Sequence, residues 1–112
     1  MALFEETIRP CEKGAVPLKY DESAKLLLEL SDSWCLVQEA SRLELILKTD
    51  DFKSSWAAAQ KIAELSEEVW HHPSITVGFG QLKVEIYTHD VNGLKRADFI
   101  FAAKVDRLIN NC

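Results

Sequence analysis

The sequence has no long hydrophobic run, no excess of basic charge and no paired cysteines, and each absence removes a class of function. Its longest apolar runs, around residues 25–30 and 43–47, are far too short to cross a bilayer. Glu5, Glu6 and Glu12 do not suit a secretory or transit leader, so a soluble, cytoplasmic protein is expected. With 13 basic against 18 acidic residues the net charge is −5. Such a surface repels phosphate backbones and anionic lipid, so neither a direct nucleic-acid partner nor a membrane is expected. Cys11, Cys35 and Cys112 are odd in number and widely spaced, unlike a zinc knuckle or a redox dithiol, and are expected to stay reduced. There is also no P-loop, no Rossmann glycine pattern and no nucleophile elbow.

What remains is globular: 112 residues, 47% hydrophobic and 28% charged, enough for one core. Residues 1–20 contain Pro10, Gly14 and Pro17 without a clear period and read as an N-terminal arm; residues 21–112 read as a single domain. Asp21 is expected to cap a first helix with Ala24, Leu27 and Leu28 at helical spacing, ended by Ser31-Asp32-Ser33. Trp34–Gln38 favours strand, Glu39-Ala40-Ser41 a turn, and Leu43, Leu45 and Leu47 alternate in a second strand that only Ile46 interrupts. Asp50 or Asp51 then opens a long helix whose stripe is Phe52, Trp56, Ala59, Ile62, Ala63 and Ser66, which places both aromatics in the core.

That helix must stop near Trp70, because Pro73 follows. Ile75, Val77 and Phe79 alternate, Gly78 and Gly80 bracket a turn, and Leu82, Val84 and Ile86 alternate again. After a loop at Asp90–Gly93, a last helix carries Phe99, Ala102, Ala103, Val105, Asp106 and Ile109 on one side. The order helix-strand-strand-helix-strand-strand-helix predicts an α+β domain, with a four-stranded antiparallel sheet and helices packed on one face.

The chemistry concentrates in three histidines within nineteen residues: His71 and His72 at a helix end, and His89 after the last strand. Histidine donates and accepts protons near neutral pH. Taken alone, the pair also suits a helix C-terminus, where imidazolium meets the negative end of the dipole. Three histidines with Asp98 are a conceivable zinc set, although the usual helical pair four apart is missing. Glu67 stands four residues before His71, where it either orients an imidazole or forms a surface pair. Asp98, near the start of the last helix, complements the dipole whether or not it does chemistry. The run Ala57-Ala58-Ala59 permits close approach of another helix, within the chain or from a second subunit.

Glu67-x-x-x-His71-His72-Pro73, followed by Thr88-His89-Asp90, Gly93-Leu94 and Asp98, resembles the pterin-4a-carbinolamine dehydratase family. Metazoan members of that family also serve as the dimerisation cofactor of hepatocyte nuclear factor. The resemblance runs from about Pro17 to Leu108 and implies a hydro-lyase that removes water from 4a-hydroxytetrahydropterin to give quinonoid dihydropterin. That step belongs to the recycling of tetrahydrobiopterin for aromatic amino acid hydroxylases. It implies His71, His72 and His89 as catalytic residues, with Glu67 and Asp98 supporting them. His71, His72, Pro73, Thr88, His89, Asp90 and Val91 would bind substrate.

The implied chemistry is acid–base dehydration with no metal and no redox cofactor. The implied partners are the pterin and further copies of the chain, as a homodimer or homotetramer. The alternative is a helix-binding transcription cofactor, for which nuclear presence would be needed. Two departures stand out. Lys95 occupies a place where many relatives have serine or threonine, which predicts weaker or displaced capping of the last helix. The arm has Ile8 where some relatives have a second cysteine, leaving Cys11 alone.

Overall fold

The computed structural model describes residues 2–9 and 14–110. Strands β1 (Trp34–Val37), β2 (Arg42–Lys48), β3 (Ser74–Gly78) and β4 (Gln81–Ile86) form one antiparallel sheet in the order β1-β2-β4-β3. Helices α1 (Tyr20–Leu27), α2 (Phe52–Val69) and α3 (Arg96–Asn110) complete the α+β architecture expected from the sequence. None of them is long and apolar enough to cross a membrane.

The register shows why the alternating residues hold the sheet in one arrangement. Trp34 pairs with Leu45, Leu45 with Val84 and Val84 with Ile75, so one apolar row crosses all four strands. Leu36-Leu43-Ile86 and Leu47-Leu82-Val77 form the rows on either side. A slip of one residue would turn every one of these side chains to the other face. Leu43, Leu45, Leu82, Val84 and Ile86 are fully buried, each contributing about 1.5–3 kcal/mol relative to exposure. The outer face is polar, with Lys83 Nζ 3.4 Å from Glu44 Oε2 beside the like-charged cross-strand pair Glu44 and Glu85. Ile46, the residue that breaks the alternation, lies on this outer face and is exposed.

The helices depart from the sequence expectation in instructive ways. In α1 the cap is not Asp21 but Lys19, two residues earlier than expected, whose backbone N–H donates to Glu22 Oε1 at 2.8 Å. The helix closes at Leu27, which leaves Leu28 at the surface. In α2 Asp51 does cap, accepting from the Ser54 N–H at 2.7 Å. The buried stripe, however, is Ser55, Ala59, Ile62 and Ser66, while Phe52 and Trp56 stay about half exposed and Ala63 is exposed.

Small side chains let α2 lie close to the sheet, and the two serines satisfy their hydroxyls locally. Ser66 Oγ donates to Ile62 O at 2.8 Å, and Ser55 Oγ lies 2.6 Å from Thr49 Oγ1. Phe79, expected on the inner face of β3, sits in the two-residue turn with Gly80 and is exposed. Gly80 supplies the positive φ that this turn needs.

Helix α3 is the central element. Phe99, Ile100, Phe101, Ala102, Ala103 and Val105 are all buried, a wider face than one stripe. The second side is covered by a short 3-10 turn at Leu3–Glu5, with Leu3 buried and Lys104 Nζ donating to Phe4 O at 2.8 Å. Asp106, expected on an apolar side, is a tether instead. It accepts from the Ser31 N–H, Ser31 Oγ and Trp34 Nε1 at 2.8–2.9 Å, tying α3 to the start of β1. Cys35 is a free, exposed thiol, whereas Cys11 and Cys112 lie outside the described residues.

Candidate active site

The site begins where α2 ends. Trp70 adopts the left-handed conformation (φ 55°, ψ 49°), and the N–H groups of Trp70 and His71 both reach Ser66 O. This closes the helix and turns the chain sharply before Pro73 and β3. The reversal sends the two histidines in different directions.

His71 points inward. Its side chain is 14% exposed, and Nε2 lies 2.7 Å from Oδ1 of Asp98, which is fully buried. Asp98 Oδ2 accepts from Thr88 Oγ1 and from the backbone N–H of Lys95, both at 2.8 Å. Asp98 therefore stands in the first turn of α3 and replaces the missing serine or threonine cap by gathering the Lys95 N–H itself. With one carboxylate oxygen occupied by two donors, the other accepts from His71 Nε2–H. This leaves Nδ1, which makes no hydrogen bond among the described residues, as the ring nitrogen open to a ligand. Phe101 packs against the same ring, with centroids 5.6 Å apart.

His72 faces out. Its Nε2 lies 2.6 Å from Glu67 Oε2, and both side chains are largely exposed. Glu67 thus pairs with His72 rather than with His71, four residues on. The expected spacing holds only while the helix continues, and the left-handed residue breaks it. His89 opens a 3-10 turn, His89–Val91, and its ring lies 4.2 Å from Tyr87, whose own ring is covered by the Arg42 guanidinium at 3.4 Å. Arg42 Nη2 also donates to Asn92 Oδ1 at 3.0 Å.

A cavity of about 860 Å³ opens over His71. Thr88, Asp90, Lys95, Arg96 and Trp70 line it, and arm residues around Glu6–Arg9 and Gly14–Val16 form the opposite wall. His72, Pro73, His89, Val91 and Glu67 do not line it in the single chain, and Asp98 sits behind His71. Among the described residues no three His, Cys, Asp or Glu side chains gather to hold a metal ion.

The arm wall and Trp70 escaped the sequence reading. The arm shows no periodicity, and only the structure reveals that the two carboxylate oxygens of Glu6 accept from Arg96 Nε and Nη2, at 2.9 and 2.7 Å. That hydrogen-bonded pair holds the Glu6 carboxyl below its usual pKa and raises the pKa of Arg96.

Comparison with known proteins identifies the family. A relative from Rickettsia bellii is 43% identical over 97% of this chain and 96% of its own. One from Methylococcus capsulatus is 41% identical over 96% and 93%, and one from Vibrio cholerae 40% over 95% and 98%. All three carry pterin-4-alpha-carbinolamine dehydratase as a provisional name. The crystal structure of a transcriptional coactivator/pterin dehydratase from Brucella melitensis superposes with a TM-score of 0.75 at 25% identity, covering 82% of this chain and 97% of that one. Residues 16–108 match the family described as pterin 4 alpha carbinolamine dehydratase, and the chain belongs to that family.

Proposed function

We propose that the protein is a 4a-hydroxytetrahydropterin dehydratase working by histidine acid–base chemistry. The observation that carries this reading is the buried His71–Asp98 pair at the floor of the cavity, braced by Thr88 and the Lys95 N–H. Dehydration breaks the C4a–O bond, delivers a proton to the departing oxygen to make water, and removes the proton on the neighbouring ring nitrogen so that a C=N bond forms. His71, with Nε2–H committed to Asp98 and Nδ1 free, suits the proton acceptor. His72 takes the donor's part, oriented by Glu67. His89, stacked on Tyr87, serves to hold the pterin from the side of β4, with Thr88, Asp90 and Val91 in the same segment and Pro73 beside the histidine pair. Spontaneous dehydration is already feasible in water, so two positioned groups, together worth about 100- to 10,000-fold, are sufficient.

The direct test is stopped-flow absorbance of 4a-hydroxytetrahydropterin decay with and without the protein after exhaustive chelation. Faster decay in proportion to enzyme supports the reading, and a decay rate equal to that of buffer rejects it.

A self-assembly role for α2 is part of the same proposal. Its outward face exposes Phe52 and Trp56 beside Ala57, an apolar surface that suits a homodimer or homotetramer contact. The transcription-cofactor reading would use this same helix face and not the histidines. His71→Ala should therefore slow dehydration by about 100-fold and leave the oligomeric state, read by light scattering, unchanged.

A further inference from the structure

We infer that Trp70 is an aromatic wall against which the flat ring of the substrate lies, making it a specificity-determining residue of this site. The inference rests on the dehydratase reading above and adds to it a binding surface specific to this chain. The first observation is conformational. Trp70 closes α2 with φ 55° and ψ 49°, a position that glycine or asparagine normally fills because a Cβ crowds the following carbonyl there. A bulky indole is a poor choice for the turn itself, so the turn does not explain it.

The second observation is placement. Trp70 is 76% exposed, so the indole gains little from the core, yet it lines the cavity beside His71 and Thr88. Its only ring contact among the described residues is with His72, T-shaped at 85° and 4.9 Å between centroids, which occupies at most one indole face. The third is the company it keeps. Asp90, Lys95 and Arg96 bring hydrogen-bonding and charged groups to the same cavity. A pterin is a planar fused ring with donors and acceptors around its edge, and it calls for this combination of a stacking surface and a polar rim. The strained turn is thus retained for the side chain that it displays to the ligand.

The test compares wild type, Trp70→Asn and Trp70→Phe. Steady-state dehydration kinetics are read beside calorimetric titration with 7,8-dihydrobiopterin and the melting temperature. Trp70→Asn should raise both KM and the Kd for dihydrobiopterin by about 10-fold, within the range for aromatic stacking on a flat heterocycle, with the smaller share of the loss in kcat. Its melting temperature should stay level or rise, because asparagine tolerates the left-handed turn. Trp70→Phe should recover most of the affinity. If wild type binds and dehydrates pterin while Trp70→Asn keeps KM and Kd within 2-fold, this inference is overturned and the dehydratase reading stands. A fall in melting temperature with unchanged Kd overturns it in the same way, marking the indole as structural. If wild type neither binds nor dehydrates, both fall together.

Discussion

His71 keeps 14% of its side-chain surface exposed and leans on a carboxylate with none, whereas His72, one residue on, keeps 48% and pairs with a carboxylate that keeps 69%. The residue type is the same and the neighbours are joined by one peptide bond, so composition does not sort them; the backbone does. Trp70 takes the chain out of the helix in a left-handed step, after which His71 falls against α3 and His72 folds back over the last turn of α2. The energetic consequences differ accordingly. An exposed pair such as Glu67 and His72 contributes about 0–1 kcal/mol, while leaving a buried hydrogen-bonding group without its partner costs about 1–3 kcal/mol. His71 is fixed by a buried partner, whereas His72 is held only by an exposed one.

The largest effect expected from this contrast is on the double variant. His71→Ala/His72→Ala should bring turnover in the stopped-flow assay down to nearly the spontaneous rate, a loss of about 100- to 10,000-fold. Retention of the wild-type rate would show that neither histidine moves a proton.

Next comes Asp98→Asn. The substitution keeps the shape but disturbs the acceptor that orients His71, so turnover should fall by about 10- to 100-fold. The amide also gives Thr88 Oγ1 and the Lys95 N–H a poorer partner, so calorimetric unfolding should show a loss of about 1–3 kcal/mol. Wild-type activity in a destabilised Asp98→Asn protein would reduce the residue to a helix cap. Glu67→Gln, the matching change on the exposed side, should alter turnover by less than about 3-fold and leave stability within about 0.5 kcal/mol.

The smallest expected effect depends on pH. The Glu6 carboxyl is held low by its hydrogen bonds from Arg96, and Asp51 by those from Ser54. A carboxyl whose pKa is lower in the folded state contributes stability that is complete above its unfolded value, 4.5 for Glu6 and 3.8 for Asp51, and that is lost as pH falls through the folded value. The melting temperatures of Glu6→Gln and Asp51→Asn should therefore lie below wild type at pH 7 and converge on it toward pH 2. A gap that persists in acid would mean that charge is not its cause.

Much of the fold was legible because each strand alternates over one buried face. Leu43, Leu45, Leu82, Val84 and Ile86 announced themselves, and the sheet follows from pairing them. Helix orientation was less so. Phe52 and Trp56 share a helical stripe with Ile62 and Ser66 closely enough to pass for core, but a rotation of a residue or two puts Ser55 inside in their place. Serine hydroxyls satisfied by local backbone carry no hydropathic signal. At the site, the types and spacing of His71, His72, His89 and Asp98 were visible, but their partners were not. Which carboxylate meets which imidazole depends on one positive φ at Trp70, a position whose side chain gives no hint of a left-handed turn. The arm wall was hidden for a related reason, since Glu6 and Arg96 are ninety residues apart and only the fold brings them together.

The contrast between the two histidines is tested most directly by the turnover of His71→Ala and His72→Ala measured as separate single variants in one stopped-flow series, each normalised to folded protein. Both should be slowed by at least about 10-fold, and His71→Ala should be the slower of the two by a further factor of about 10. Equal rates, or a slower His72→Ala, would contradict the central place given to the buried His71–Asp98 pair, and wild-type turnover in both would contradict histidine catalysis altogether.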